Sequence, residues 1–384
     1  MIPDPVAFLR RLVEIRSHSG QEHDVAVFLR DQMARAGLIA SLDEVGNAVA
    51  ATRGDPLNSV PGLTDLALVG HMDTVPGDIP VRIENGRLYG RGAIDAKGPL
   101  AAFVCAAARA RLPEGLRLVV AGATEEESAS SRGARAIAPR YSPAACVIGE
   151  PSHWDAVTVG YKGRLLVHYN VTRAMSHSAG PAPSAGDQVF EWWERVRADV
   201  RDLVPDGASP FHGVQAMLRE LGTTSDWLSE SARAVASFRI PPGVAPERIA
   251  EICRAHAAGG DARPEGPEVA YVADARSPLA RAFSQSIRAL GGVPRLLLKT
   301  GTSDMNVLGP LWACPFVAYG AGDSLYDHTP DEHIILDEWL RSIDVLVLAI
   351  ERWAAGLAAL HPPGVRSTLT TCLSESPSSA ATGR

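Results

Sequence analysis

The chain has 384 residues, of which 46% are hydrophobic, and a formal net charge of −7. Its length exceeds the roughly 250–300 residues that one hydrophobic core usually supports, so we expect two domains. The negative charge argues against general binding to nucleic acid or to acidic membranes, whose phosphates would repel it. No signal peptide or membrane-spanning helix is indicated, and five scattered cysteines favour a reducing cytoplasm.

The first predicted elements are two helices, at residues 4–16 and 22–36, where apolar side chains recur at helical spacing. Short, continuously apolar runs then predict buried strands at Leu66–Val69, Leu116–Ala121, Cys146–Ile148 and Pro315–Tyr319. An alanine-rich helix, Leu100–Ala110, separates the first two strands. Strands that alternate with helices predict an α/β fold, with a mainly parallel sheet covered by helices on both faces.

The pattern changes between residues 155 and 263, where we expect a two-layer α+β domain with an antiparallel sheet. The predicted strands are Val157–Gly160, Leu165–Val171 and Val235–Ile240, and the predicted helices are Gln188–Val200 and Ala245–Ala257. Candidate site residues occur on both sides of this segment. We therefore expect it to be inserted into a catalytic domain formed by residues 1–154 and 264–360. The small, polar residues of the tail, 361–384, predict disorder.

Histidines and carboxylates follow the carboxyl ends of the predicted strands, which is where open α/β sheets bind their ligands. They are His71, Asp73, Asp95, the triplet Glu125–Glu127, Glu150 and His328. Zinc accepts this mixture of nitrogen and oxygen donors, and one aspartate can bridge two ions. Each residue alone could be a core histidine, a turn residue or a helix cap. As a set they predict a metal site.

Five stretches in this order resemble the dinuclear-zinc metallopeptidases and deacylases, a family that includes acetylornithine deacetylase, succinyl-diaminopimelate desuccinylase and carboxypeptidase G. The stretches are Gly70–Pro76, Gly90–Gly98, Thr124–Glu127, Gly149–Pro151 and Tyr326–Pro330. The resemblance implies two Zn²⁺ ions per subunit, with Co²⁺ as a possible substitute. It also implies a homodimer formed through the inserted domain.

The same resemblance implies a role for each candidate residue. His71 and Glu150 would bind one ion, His328 and Glu127 the other, and Asp95 would bridge them. Asp73 would orient His71, and Glu126 would act as the general base. In the alternative register of the triplet, Glu125 is the base and Glu126 the ligand, and both registers stay open. His177, within Ser176–Gly180, would stabilise the oxyanion in the partner subunit's site.

Three further stretches resemble a branch of the family that releases lysine or ornithine from an amino-group carrier protein, LysW. They are Gly92–Pro99, Gly160–Arg164 and Lys299–Asn306. This resemblance implies hydrolysis of an isopeptide bond on the terminal glutamate of an acidic carrier. Asp304 would contact a cationic group of the substrate, and Thr302 and Lys162 are further candidates for substrate contacts.

Other functions remain open from the sequence. An N-acetyl-ornithine or N-acetyl-lysine deacetylase, or a dipeptidase, would use the same metal chemistry. A metal-binding interaction protein would bind the metal without catalysing a reaction. No residue decides between lysine and ornithine. An acidic carrier would need a basic rim around the crevice of this acidic protein. Candidates for that rim are Arg91, Arg132, Arg135, Lys162 and Arg164.

Overall fold

The structure is a computed structural model that describes residues 2–205 and 207–360; the tail predicted to be disordered, residues 361–384, lies outside them. The strands are β1 Ile39–Leu42, β2 Ala48–Ala51, β3 Thr64–His71, β4 Arg82–Glu84, β5 Arg87–Tyr89, β6 Leu116–Ala123, β7 Ala145–Gly149, β8 Ala156–Tyr161, β9 Gly163–Ala174, β10 Gln215–Ser225, β11 Ser229–Ile240, β12 Asp261–Glu268, β13 Tyr271–Val272, β14 Arg295–Lys299, β15 Phe316–Ala318 and β16 His333–Ile335. The α-helices are α1 Pro5–Glu14, α2 His23–Arg35, α3 Lys97–Ala107, α4 Arg132–Ile137, α5 Ala185–Arg201, α6 Pro246–Ala255, α7 Pro278–Ala289, α8 Asp304–Leu308 and α9 Leu336–Leu360.

The larger sheet has nine strands in the order β1-β2-β6-β3-β7-β15-β8-β13, with β14 also paired to β8. Its centre is parallel, since β3 pairs in parallel with both β6 and β7, and β7 with β15. Helices cover both faces. Leu66 and Leu68 of β3 pack in the core beneath α3 and α9, whereas the alternate residues Ala67 and Val69 pack in the core beneath α4 and α8. The predicted α/β fold is confirmed.

The smaller sheet is antiparallel, in the order β10-β11-β9-β12. Alternate residues of β9 are buried, including Leu165 and Val167, and they share a core with α5 and α6. Tyr169 of β9 stacks on Trp192 of α5, with ring centroids 4.5 Å apart. One face of this sheet therefore packs on helices, as a two-layer α+β arrangement requires.

The limits of the smaller sheet differ from the predicted boundaries at both ends. The run Val157–Gly160, predicted as a strand of the insert, lies in β8, whose residues are all buried and which pairs with β14 and β15 of the larger sheet. A short run that is apolar on both faces fits a central strand better than a half-exposed one. At the other end β12 continues to Glu268, past the predicted limit at residue 263. We propose that the insert spans Gly163 to Glu268.

The parallel centre of the larger sheet gathers the candidate site residues. In the register of the strands His71 lies opposite Ala123, the last residue of β6, and Gly70 lies opposite Gly149, the last residue of β7. The carboxyl ends of three parallel strands thus meet at one edge. A third sheet, β16-β5-β4, brings the segment after His328 back against the turn that carries Asp95. Within the described ranges, no helix combines the length and apolarity needed to cross a membrane.

Candidate metal centre

His71 ends β3 with its imidazole buried between two aspartates. Its Nδ1 donates to the backbone carbonyl of Asp73 at 3.0 Å and lies 3.3 Å from Asp73 Oδ1. Its Nε2 lies 3.1 Å from Asp95 Oδ1. Burial lowers the pKa of His71, but the hydrogen bonds with Asp73 and Asp95 outweigh it and hold that pKa well above its usual value. With the Nδ1 proton engaged, Nε2 is the atom left to bind a metal ion.

Asp95 lies between the two histidines of the site. Its Oδ1 faces His71, and its Oδ2 lies 3.0 Å from His328 Nε2. Burial raises the pKa of Asp95, but hydrogen bonds from His328 and His71 outweigh it and keep the carboxyl ionised. An aspartate with one oxygen toward each of two imidazoles has the arrangement that a bridging ligand needs.

Three glutamates complete the cluster. Glu127 Oε1 lies 2.9 Å from His328 Nε2, and Glu150 Oε1 and Glu126 Oε2 lie 3.9 Å and 4.0 Å from His71 Nε2. Burial is the main cause that raises the pKa of each of these carboxyls, and neighbouring carboxylates add to it. Ligand atoms of His71, Asp95 and Glu127 all lie within 4.8 Å of one another. So many buried carboxylates around two imidazoles form a donor set that fits divalent cations.

The structure separates the members of the glutamate triplet. The backbone N–H groups of Glu126 and Glu127 each donate to the Asp73 carboxylate at 3.0 Å, and both side chains line the cavity. Glu125, with φ of 56°, turns the other way. Its carboxylate accepts a hydrogen bond from Ser130 Oγ at 2.6 Å and lies 3.3 Å from Arg132 Nη1. The cavity therefore receives Glu126 and Glu127 and not Glu125.

Two residues with supporting roles were not predicted from the sequence. Glu332, whose side chain is fully buried, accepts hydrogen bonds from the backbone N–H of Ile94 at 3.2 Å and from Arg91 Nη1 at 2.8 Å, and so supports the turn that carries Asp95. Arg239 lines the cavity and donates to Thr302 Oγ1 at 2.9 Å. The sequence could have identified Arg239 as a candidate, because side chains alternate along a strand and Arg239 therefore points to the opposite face from the buried Phe238. No such indication exists in the sequence for Glu332, which lies outside the five stretches that resemble the family.

The predicted substrate contacts differ in where they lie. Thr302 lines the cavity. Asp304, at the start of α8, is buried, its Oδ1 has no partner among the described residues, and burial raises its pKa to about 7. Lys162 lies elsewhere: its Nζ donates to the backbone carbonyl of Pro210 at 2.9 Å and to Gln215 Oε1 at 3.3 Å, so it supports a loop of the insert. Its side chain is not among those lining the cavity.

His177 lies in an exposed segment between β9 and α5. Its Nδ1 accepts a hydrogen bond from the backbone N–H of Ala179 at 3.1 Å. It does not line the cavity formed by the described residues of its own chain. The described part of a single chain therefore places His177 outside this cavity.

Most of the predicted basic rim is neutralised. Arg91 pairs with Glu332, Arg132 with Glu125, and Arg135 with Glu268. Arg164, also predicted for the rim, does line the cavity, together with Arg239 and Lys299. The cavity has a volume of about 480 Å³, and its lining includes His328, these three cations and the carboxylates of Asp95, Glu126, Glu127, Glu150 and Asp327. Groups of both charges therefore line the same cavity.

The chain is similar in sequence to known proteins. The family model described as "Peptidase family M20/M25/M40" matches residues 67–352. A protein of Deinococcus radiodurans named [LysW]-lysine hydrolase is 44% identical over 370 residues, covering 93% of this chain and all of the relative. A Thermococcus kodakarensis protein named putative [LysW]-lysine/[LysW]-ornithine hydrolase is 40% identical over 348 residues, 91% of this chain and 92% of the relative.

The fold is similar to that of solved structures. The crystal structure of an M20 family metallo-carboxypeptidase, Sso-CP2 of Sulfolobus solfataricus, superposes with a TM-score of 0.75 at 18% sequence identity. The match covers 92% of this chain and all of the other. At that identity the likeness supports the architecture alone.

We expect divalent transition-metal ions to raise the melting temperature of the metal-free protein, because binding to the folded state stabilises it by mass action. Burial raises the pKa of Glu127 and Glu150, so these carboxyls hold protons to higher pH and must release them to bind a metal ion. Metal affinity should therefore fall as the pH drops through the raised values. Calorimetric titration in buffers of different ionisation enthalpy measures the proton release.

The matched variants for this measurement are Asp95→Asn and Glu125→Gln, each of which removes one carboxylate. Asp95→Asn should abolish the rise in melting temperature, whereas Glu125→Gln should leave it unchanged. If both variants lost the effect equally, the ions would be held by general negative charge and not by the cluster around Asp95.

Proposed function

Because this chain belongs to peptidase family M20/M25/M40, we propose that it is a metal-dependent amide hydrolase that releases lysine or ornithine from the carrier protein LysW. The observation that carries the proposal is the cavity in which Glu126, Glu127 and Glu150 face a substrate space shared with Arg164 and Arg239. The high identity of a full-length relative named [LysW]-lysine hydrolase supports the substrate. A biosynthetic role of this kind goes with a cytoplasmic location.

Two metal ions, Zn²⁺ or its substitute Co²⁺, would be held by His71 with Glu150 and by His328 with Glu127, while Asp95 would bridge them. When bound, they would supply Lewis acidity and lower the pKa of a water molecule toward neutrality. This assignment is supported by the orientation of the Asp95 carboxylate, whose Oδ1 faces His71 and whose Oδ2 faces His328. Asp73 holds the tautomer of His71 by accepting its Nδ1 proton.

Glu126 would move the protons of the reaction. The side chain of Glu126 lies in the cavity, and its backbone N–H donates to the Asp73 carboxylate. This hydrogen bond holds the backbone from which the side chain extends. Glu126 would accept a proton from the attacking water and deliver that proton to the departing α-amine of lysine or ornithine. Burial raises the pKa of Glu126 well above its usual value, which brings it nearer to the range where a carboxyl can both accept and return a proton at neutral pH.

The cations of the cavity would hold the carboxylates of the substrate. An isopeptide between the γ-carboxyl of a terminal glutamate and the α-amine of lysine carries two free α-carboxylates. Arg239 is fixed by its hydrogen bond to Thr302, and the Arg164 Nε is buried without a partner among the described residues. A guanidinium with a buried, unpaired N–H offers a donor to a carboxylate. Asp304 would attract the cationic side chain of the released amino acid from its buried position beside the site.

The protein would act as a homodimer formed through the insert, with His177 stabilising the oxyanion in the partner subunit's site. The position of His177 outside its own cavity supports this arrangement.

Glu126→Gln should keep its metal ions but lower kcat by on the order of 10²–10⁴, because proton transfer is lost. Glu127→Gln should instead lower metal occupancy, and Glu125→Gln, the matched control, should change kcat less than about threefold, since its side chain points away from the cavity. Steady-state kinetics together with metal analysis separates the three. A large loss of kcat in Glu125→Gln with retained metal would reverse the assignment of the triplet.

His177→Ala should lose most activity with its metal ions intact. Mixing it with inactive Glu126→Gln should restore part of the activity after subunit exchange, since one site of each mixed dimer then has both Glu126 and a partner His177. Subunit exchange can be followed by fluorescence energy transfer between labelled dimers. Absence of recovery in exchanged dimers would remove His177 from the partner's site.

The function itself is tested by comparing hydrolysis of LysW-linked lysine, LysW-linked ornithine and free N-acetyl-lysine. We expect kcat/KM to be at least about 100-fold higher for the carrier-linked substrates, because N-acetyl-lysine lacks the glutamate carboxylate that the arginines would bind. Similar values for all three would favour a general deacetylase. Metal binding without turnover of any amide would favour a non-catalytic protein.

A further inference from the structure

The outermost strand β14 leaves one side of its backbone unpaired. Arg295 N–H donates to the carbonyl of Asp155 at 3.2 Å, and the Lys299 carbonyl accepts from Lys162 N–H at 3.2 Å, so both residues face β8. Backbone groups of successive residues in a strand point to opposite sides. Leu296 and Leu298 therefore direct their N–H and C=O groups away from the sheet. No strand of the described chain pairs with this edge, since β14 pairs only with β8.

The same edge is apolar. The side chains of Leu296 and Leu298 are 47% and 43% exposed. Val272 of β13, which pairs with β8 on the other side from β14, is 49% exposed and extends this apolar surface across the face of the sheet. Leu298 and Val272 lie together over Gly160, where an added Cβ would meet Leu298 at 2.8 Å and Val272 at 3.1 Å. Proteins usually cover or charge an edge of this kind, because it offers both hydrogen bonds and apolar surface to another chain. Its exposure here leaves it available to an additional strand.

The edge leads into the cavity. Residues from Leu298 at the end of β14 to Thr302 line the cavity, so a chain laid parallel to β14 would carry its carboxyl end into it. A cavity of about 480 Å³ holds a residue or two with a linked amino acid and cannot admit a folded protein. The scissile amide of a protein substrate must then be presented on an extended segment.

Charge favours an acidic segment. Arg295 and Lys299 lie at the two ends of β14, and Arg164 and Arg239 line the cavity beyond it. Arg295 forms an ion pair with Asp155 at 2.7 Å on the exposed surface. Such an exposed pair is weak, so a carboxylate of another chain could replace Asp155. A tail with carboxylates along it and at its end would meet Arg295 and Lys299 along β14, and Arg164 and Arg239 in the cavity.

We propose that the extended carboxyl-terminal tail of the acidic carrier adds to the larger sheet as a further strand, parallel to β14, and thereby delivers its terminal residue to the cavity. The proposal rests on the proposed function and adds the docking surface to it. Main-chain bonds to Leu296 and Leu298 would give affinity, and the apolar side chains of the edge would contact alternate residues of the tail. The folded part of the carrier would stay outside.

The test uses Leu296→Pro and its matched control Leu296→Ala. Proline removes the outward N–H without disturbing the bonds from Arg295 and Lys299 to β8, and edge strands accept it; alanine keeps the N–H. With a six-residue acidic peptide bearing a γ-linked lysine on its terminal glutamate, Leu296→Pro should raise KM about 3- to 10-fold more than Leu296→Ala. Hydrolysis of γ-glutamyl-linked lysine alone should stay within about twofold of wild type for both variants, which also reports correct folding.

A second measurement needs no variant. Methylating the backbone nitrogens of the peptide one at a time should raise KM at alternate positions, since only every second N–H of an added strand faces β14. Uniform effects along the peptide, or equal effects of proline and alanine at residue 296, would overturn the docking. So would a change of oligomeric state in Leu296→Pro, which would mean that a second copy of this chain occupies the edge.

The outcomes also separate the two proposals. If the wild-type enzyme cleaves the six-residue and the short substrate with the same KM, the strand docking fails and the hydrolase function stands. If it cleaves neither, the proposed function fails and the docking fails with it.

Discussion

The buried carboxylate of Asp73 connects the parts of the site, because it accepts hydrogen bonds from the backbone N–H groups of Glu126 and Glu127 and lies against His71 Nδ1. Ser19 donates to the same carboxylate at 2.7 Å. One ionised group thus joins the end of β3, the turn after β6 and the loop between α1 and α2. Burial alone would raise the pKa of Asp73, but the hydrogen bond with His71 outweighs it and keeps the carboxyl ionised.

The insert contributes the opposite charge to this site. Arg164 and Arg239 are neighbours across β9 and β11, and both reach the cavity whose other residues include the carboxylates of the larger sheet. The substrate we propose carries its carboxylates on either side of an amide, so it would contact both units at once. The edge of β14 belongs to the larger sheet, which carries the metal-site cluster.

Continuously apolar runs predicted the central strands correctly, because a strand buried on both faces leaves little choice of residue. These strands also predicted that His71 and Glu150, which follow their carboxyl ends, would meet at one edge of the sheet. Finer questions depended on the direction of side chains. Three adjacent glutamates are chemically identical, so only the bonds of Glu125 to Ser130 and Arg132 distinguish it. Lys162 follows a predicted strand, yet its amine turns toward Pro210. Burial of Glu332 depends on pairing between β5 and β16, which are distant in sequence.

The central claim is that Asp95 bridges two metal ions between His71 and His328. The most direct measurement is anomalous X-ray diffraction at the zinc edge from crystals grown with Zn²⁺. We predict two peaks, one beside each histidine, each about 2.0–2.2 Å from a different oxygen of Asp95. A single peak, or two peaks that leave Asp95 uncoordinated, would contradict the account.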